Sequence, residues 1–197
     1  MACAPVKYKI GVIGDSGIGK TSLISRFVDN SYPEVYITTQ GYSLSKKTIN
    51  IEKQKVELEI WDFSGANDFR TLTSYHYGII HGFMICYSVD SDKSWSNIDN
   101  WIENMCLVIG NNRFDHSAKL IIGLKNDSPS KCVQEEVVVA KCQSLRNTDI
   151  ILTSAKQNRF VHQAFSNLTK RIYDQHFPST NQNLTADRRG PRICPIF

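Results

Sequence analysis

The sequence predicts an α/β domain, a six-stranded and mostly parallel sheet flanked by about five helices on its two faces. Three observations carry this. Apolar runs of strand length alternate with stretches of helical spacing along most of the chain. Two neighbouring runs are joined by a short polar turn, the signal of a hairpin. The first run leads directly into Gly14-Asp15-Ser16-Gly17-Ile18-Gly19-Lys20-Thr21, which completes the pattern G-x-x-x-x-G-K-[ST] between a strand and a helix.

Taken in order, Val6 to Ile13 reads as a buried strand and Lys20 to Val28 as a helix opening at the glycine-rich segment. Ser43 to Ile51 and Val56 to Asp62 are strands joined by Glu52-Lys53-Gln54. Val56, Leu58 and Ile60 alternate with Glu57 and Glu59, so one face of this hairpin is wetter. Phe83 to Val89 is continuously apolar, as a central strand requires. Ser94 to Val108 has helical spacing, with Ile98, Trp101, Ile102 and Met105 on one face. Leu120 to Leu124 is another short buried strand, Cys132 to Leu145 a helix, Ile150 to Leu152 the last strand and Asn158 to Phe177 a long helix. After Pro178 the composition turns polar, and a tail of this kind is expected to be disordered. The division predicted is a domain over 1–177 and a tail over 178–197.

Bulk properties exclude several classes. With 197 residues and 41% hydrophobic content, the chain can bury one good core. The net charge, 23 − 19 = +4, is mild, and no nucleic-acid partner is expected. Six cysteines show no C-x-x-C and no paired histidine spacing, which points to free thiols in a reducing compartment. No charged segment followed by an apolar one opens the chain, and the longest apolar stretch, Phe83 to Val89, is too short to span a bilayer. The N-x-T sequons at Asn167 and Asn183 are then accidental. A cytoplasmic protein is expected.

The chemistry sits where such sheets bind ligands, at the carboxyl ends of the strands. A glycine-rich loop wraps phosphates with backbone N–H groups, Lys20 reaches the terminal phosphates, and the Thr21 hydroxyl takes a place on Mg²⁺. Asp62, ending a strand in Trp61-Asp62-Phe63-Ser64-Gly65, can hold the same ion through water, and Gly65 can offer its N–H to a γ-phosphate. Thr39 is a loop hydroxyl able to complete the magnesium shell. In Leu124-Lys125-Asn126-Asp127, Asp127 can accept from the two ring donors that guanine has and adenine lacks. Thr153-Ser154-Ala155-Lys156 follows the last strand and can present the Ala155 N–H to guanine O6.

With these segments in this order, the chain resembles a Ras-superfamily small GTPase, nearest the Rab family, from about Lys7 to Phe177. Gly14 to Thr21 is similar to the Rab phosphate loop, and Phe69-Arg70-Thr71-Leu72-Thr73-Ser74 to the Rab switch II helix. Tyr32, twelve residues after Lys20, stands where the family stacks an aromatic ring on the purine. The resemblance implies a P-loop NTPase fold of the small G domain type, with GTP or GDP and Mg²⁺ as ligands. It implies nucleotide contacts from Asp15, Ser16, Gly17, Ile18, Gly19, Lys20, Thr21, Ser22, Tyr32, Thr39, Gly65, Lys125, Asp127, Ser154, Ala155 and Lys156, and magnesium contacts from Thr21, Thr39 and Asp62. It also implies an exchange factor, a GTPase-activating protein, and effectors reading a face that includes Thr39, Leu44, Trp61 and His76. Cys194-Pro195-Ile196-Phe197 has the C-a-a-X form, and its terminal Phe favours geranylgeranylation. One prenyl chain anchors marginally, so Arg188, Arg189 and Arg192 would add the second contact with the cytosolic face of an intracellular membrane. Proline after the cysteine is not typical of that motif.

Four departures from the family pattern change the expectation. Ala66 stands where the family has the Gln that orients the attacking water, followed by Asn67 where it has Glu. A methyl group cannot hydrogen-bond water, so intrinsic hydrolysis should be slow, and an activating protein that supplies groups in trans could still assist it. Leu124 stands where the guanine motif begins with Asn. The missing amide should cost about 1–3 kcal/mol, the price of polar groups left without a partner, and speed nucleotide exchange. Leu44 replaces an aromatic of the effector trio, and His76 falls near its third place. Two alternatives stand beside a slow, fast-exchanging vesicle-traffic switch. One is a non-catalytic protein acting as a constitutive effector-binding module. The other is an ATP-using P-loop enzyme, which Asp127 and Ser154-Ala155-Lys156 disfavour.

Overall fold

Continuous apolar runs became the centre of a sheet and alternating ones its margin. The computed structural model describes residues 5–35, 37–66 and 74–178. Its sheet has six strands in the order β2-β3-β1-β4-β5-β6. These are β1 (Val6–Ile13), β2 (Tyr42–Ile51), β3 (Gln54–Phe63), β4 (Gly82–Ser88), β5 (Ala118–Leu124) and β6 (Thr148–Leu152). Every residue of β4 and β5 is buried, as parallel strands covered on both faces demand. β2 is exposed over most of its length and pairs antiparallel with β3, Leu44 lying opposite Trp61 and Ile51 opposite Gln54. All other pairings are parallel, so β1, β3, β4, β5 and β6 end on the same edge.

Two apolar layers hold helices to the two faces. On one, Leu23 and Phe27 of α1 (Lys20–Asp29) and Phe165, Leu168 and Ile172 of α6 (Val161–His176) join Ile10, Val12 and Leu58. The Phe27 and Phe165 rings stack with centroids 3.9 Å apart. On the other, Trp101 and Met105 of α3 (Ile98–Ile109) and Val138 and Cys142 of α5 (Glu135–Ser144) join Ile13, Phe83 and Ile85. No described helix is long and apolar enough to cross a membrane.

The helical boundaries differ from expectation for local reasons. The helix expected over Ser94–Val108 is two segments. Ser91 caps α2 (Asp92–Ser96), its hydroxyl accepting from the Ser94 N–H at 3.2 Å, and the chain breaks at Asn97 before α3 begins. Gly110, at φ 80°, ends α3, and α4 (Asn111–His116) follows in a stretch too polar to show helical periodicity. Α helix from Cys132 is delayed to Glu135 because the Cys132 and Val133 N–H groups both go to the Val89 carbonyl. The last helix opens at Val161, since Ser154 and Arg159 form a β-bridge first. A 3-10 segment spans Tyr75–Ile79. The expectations on Asn67, on switch II from Phe69 to Thr73, on Asn183, on the tail arginines and on Cys194 all lie outside the described residues.

Candidate functional site

The phosphate-binding candidate is built where β1 meets α1. Gly14 adopts φ 139°, and a Cβ there would lie 2.3 Å from the Cys86 carbonyl oxygen of neighbouring β4, so glycine is required. The turn that follows aims the first N–H groups of α1 into a small cavity, and no acidic residue in that first turn opposes an anion. The cavity is lined by Ser16, Gly17, Gly19, Lys20, Thr21, Ser22, Thr39, Ser64 and Gly65. Lys20 is only 6% exposed, and its Nζ donates to the carbonyls of Gly14 at 2.8 Å and Asp15 at 2.7 Å. The ammonium is therefore held at the mouth of the loop by its own backbone. Ile18 turns its side chain into the core, leaving only its backbone to the loop.

Three oxygens meet beside Lys20. Thr21 Oγ1 donates to Asp62 Oδ2 at 2.5 Å and lies 3.1 Å from Thr39 Oγ1. Asp62 is 2% exposed, and its other oxygen, Oδ1, is buried with no hydrogen-bond partner among the described residues. Burial raises the Asp62 pKa above the ordinary carboxylate value, while the Thr21 hydroxyl and the Lys20 charge pull it back. An unpartnered buried carboxylate oxygen is costly unless a cation answers it. Two hydroxyls and a carboxylate are the hard oxygen donors that suit Mg²⁺. Gly65 rests directly on the phosphate loop, where a Cβ would stand 2.2 Å from the Asp15 carbonyl carbon and the Ser16 nitrogen.

The base-binding candidate forms at the ends of β5 and β6. Ser154 Oγ donates to Asp127 Oδ1 at 2.6 Å and accepts from the Gln157 N–H at 3.0 Å, while the Asn126 N–H reaches the Thr153 carbonyl at 2.9 Å. Asp127 and the Ser154-Ala155-Lys156 loop are thus one unit. Lys125 sits at φ 59° with its ammonium 3.8 Å from an Asp90 carboxylate oxygen, and Lys156 is exposed. Leu124 is 2% exposed and belongs to the same apolar core as Ile18 and Val161.

Sequence reasoning missed several residues that shape these two ends. Arg26 Nε donates to the Ala155 carbonyl at 2.8 Å and its Nη1 to Asn30 O at 2.7 Å, which ties α1 to the base loop. Tyr32 lies against this arginine, ring centroid 5.9 Å from the guanidinium, so the expected stacking ring is joined to the base end through Arg26. Asp15 contributes its backbone, for its carboxylate turns away to Asn97 and Trp101. The only signal for the last two was a buried-face Trp, whose indole N–H needs an acceptor once covered.

On the outer face of the hairpin, Leu44 is exposed opposite Trp61, and His76 packs on Trp61 with centroids 5.1 Å apart. Tyr42, which sequence reasoning did not select, stacks on Trp61 at 5.0 Å and meets His76 at 4.8 Å. Tyr42 thus brings an aromatic ring to the face on which Leu44 is aliphatic. Ala66 carries only its backbone N–H toward Ser64 Oγ, at 3.3 Å.

Comparison with known proteins adds two findings. A sequence model of the Ras family matches residues 9–174. The GTP-binding protein ypt1 of Schizosaccharomyces pombe is 36% identical over 170 residues, an alignment covering 85% of this chain and 81% of that protein.

Proposed function

This chain belongs to the Ras family of small GTPases, close to the Rabs, and from that premise we propose that it is a Rab-like switch of vesicle traffic that exchanges nucleotide quickly and cleaves GTP slowly. The observation that supports it best is the joined arrangement of Lys20, Thr21, Thr39 and Asp62 at one end and Asp127 with Ser154 at the other. Thr21, Thr39 and Asp62 would hold Mg²⁺, which would draw charge from the phosphates. Lys20 would trade its loop carbonyls for phosphate oxygens, and Asp127 would select guanine. Effectors would read the face of Thr39, Leu44, Trp61 and His76, with Tyr42 beside them. Attachment to the cytosolic face of a membrane would come through a prenyl group on Cys194, and an exchange factor and an activating protein would set the cycle.

The kinetic part of the proposal rests on Ala66 and Leu124. Ala66 brings no side-chain hydrogen bond to an attacking water. Leu124 is comfortable in the core, so its effect is the amide it lacks rather than strain. We expect Ala66→Gln to speed single-turnover GTP hydrolysis and Leu124→Asn to slow GDP release. Wild-type hydrolysis as fast as that of Ala66→Gln, or release as slow as that of Leu124→Asn, would remove the corresponding claim. The same two residues favour a second reading, a non-catalytic module that binds effectors permanently. Extraction and chromatography of nucleotide from the purified chain separates the readings, since guanine nucleotide supports the switch, none supports the module, and ATP contradicts both.

A further inference from the structure

The phosphate loop from Gly14 to Thr21 contains one acid, Asp15, placed where the ligand is anionic. A carboxylate turned toward bound phosphates would repel them, because like charges at short range raise the energy. Among the described residues, two donors keep it aside. Asp15 Oδ2 accepts from Asn97 Nδ2 at 2.6 Å, and Oδ1 accepts from Trp101 Nε1 at 2.9 Å. The two donors are four residues apart, Asn97 at the N-cap of α3 and Trp101 in its first turn, so both lie on one side of that helix end. Asn97 occupies the break between α2 and α3, and Trp101 is 1% exposed, packed in the apolar layer beneath. Both donors are neutral, and both carboxylate oxygens face the helix. Its backbone is equally constrained, with Lys20 on the Asp15 carbonyl and Gly65 against the Asp15–Ser16 peptide.

We infer that Asn97 and Trp101 are positioning residues for nucleotide binding, which hold the Asp15 carboxylate against α3 and off the phosphates. This rests on the reading of the loop as a nucleotide site. Neither residue touches that site, and each acts through Asp15. Hydrogen bonds to a charged group are among the stronger ones, so losing both should matter to the ligand.

The test measures release of fluorescently labelled GDP from the full chain. Asn97→Ala and Trp101→Phe, the latter keeping an aromatic ring in the core, should each speed release several-fold, and together about tenfold or more. Adding Asp15→Asn to the pair should return release close to the wild-type rate, because the repulsive charge is then gone. A purely structural anchor would show no such rescue, so failure of the rescue overturns the inference, as does unchanged release in the combined variant. If that variant does not fold, by circular dichroism, Trp101→Phe with and without Asp15→Asn carries the same comparison. A wild-type chain that binds no labelled GDP would instead defeat the nucleotide reading itself, and this inference with it.

Discussion

Gly65 shows how little room the site leaves at the scale of one residue. A methyl group added there would overlap the backbone of Asp15 and Ser16 at 2.2 Å, and backbone cannot swing aside as a side-chain tip can. We expect Gly65→Ala to weaken labelled-GDP binding by at least tenfold in an equilibrium titration, with the secondary structure unchanged by circular dichroism. Affinity equal to wild type would mean that the loop moves more freely than its contacts indicate. Lys20 and Thr21 were legible in the sequence because loop and helix fix their spacing locally, and Asp62 because it closes an alternating apolar strand just before Ser64 and Gly65. Asn97, Trp101 and Arg26 were not, because their partners lie 82, 86 and 129 residues away. No periodicity reaches across such distances. Tyr42 escaped for a related reason, since its value depends on a ring contributed by Trp61 across the hairpin.

At the scale of elements, strands were read well and helix ends less so. Burial writes itself into a strand as an apolar run, whereas the separate start of α2 and the late start of α5 depend on a few hydrogen bonds, one to the Ser91 hydroxyl and two to the Val89 carbonyl. Lys119 of β5 is the exception among strands, a charge in an apolar run. It is fully buried, and its Nζ donates to the carbonyls of Ser117, at 2.9 Å, and of Phe114 at the end of α4. Burial pushes its pKa down from 10.5 to about 8, with Asp115 opposing and Arg171 reinforcing that shift. Below about pH 8 folded and unfolded chains both carry the proton, and the burial penalty stands in full. Between about 8 and 10.5 the unfolded chain keeps the proton that the folded chain has released. The unfolded state then binds more protons, so this residue's contribution to stability rises with pH. Lys119→Met should lack that rise. Denaturant unfolding of the two proteins across this window tests it, and parallel stability curves would refute it.

For the molecule as a whole, the kinetics proposed for Ala66 and Leu124 would bias nucleotide occupancy. Release that is fast and cleavage that is slow, as proposed, would leave the protein loaded with whichever nucleotide is in excess. We expect the wild-type chain, incubated with GTP above GDP and then freed of unbound nucleotide, to retain mostly GTP by chromatography. The Ala66→Gln/Leu124→Asn double variant should retain mostly GDP under the same conditions. Equal GDP fractions in the two would contradict the bias. The fold class was legible at this scale because alternation of strand and helix is a property of the entire chain.

The strand order β2-β3-β1-β4-β5-β6 also governs how this protein is made. The phosphate loop leaves the ribosome early, after β1, but the base loop follows β6, the last strand in sequence as well as in the sheet. β6 pairs only with β5, and α6 comes later still. A nascent chain therefore cannot draw on nucleotide to steady its folding until nearly all of the domain has emerged. Once complete, it gains stability in proportion to the logarithm of nucleotide over dissociation constant. A chain that holds its ligand loosely spends more of its life without that gain, and its lifetime in the cell should track nucleotide supply.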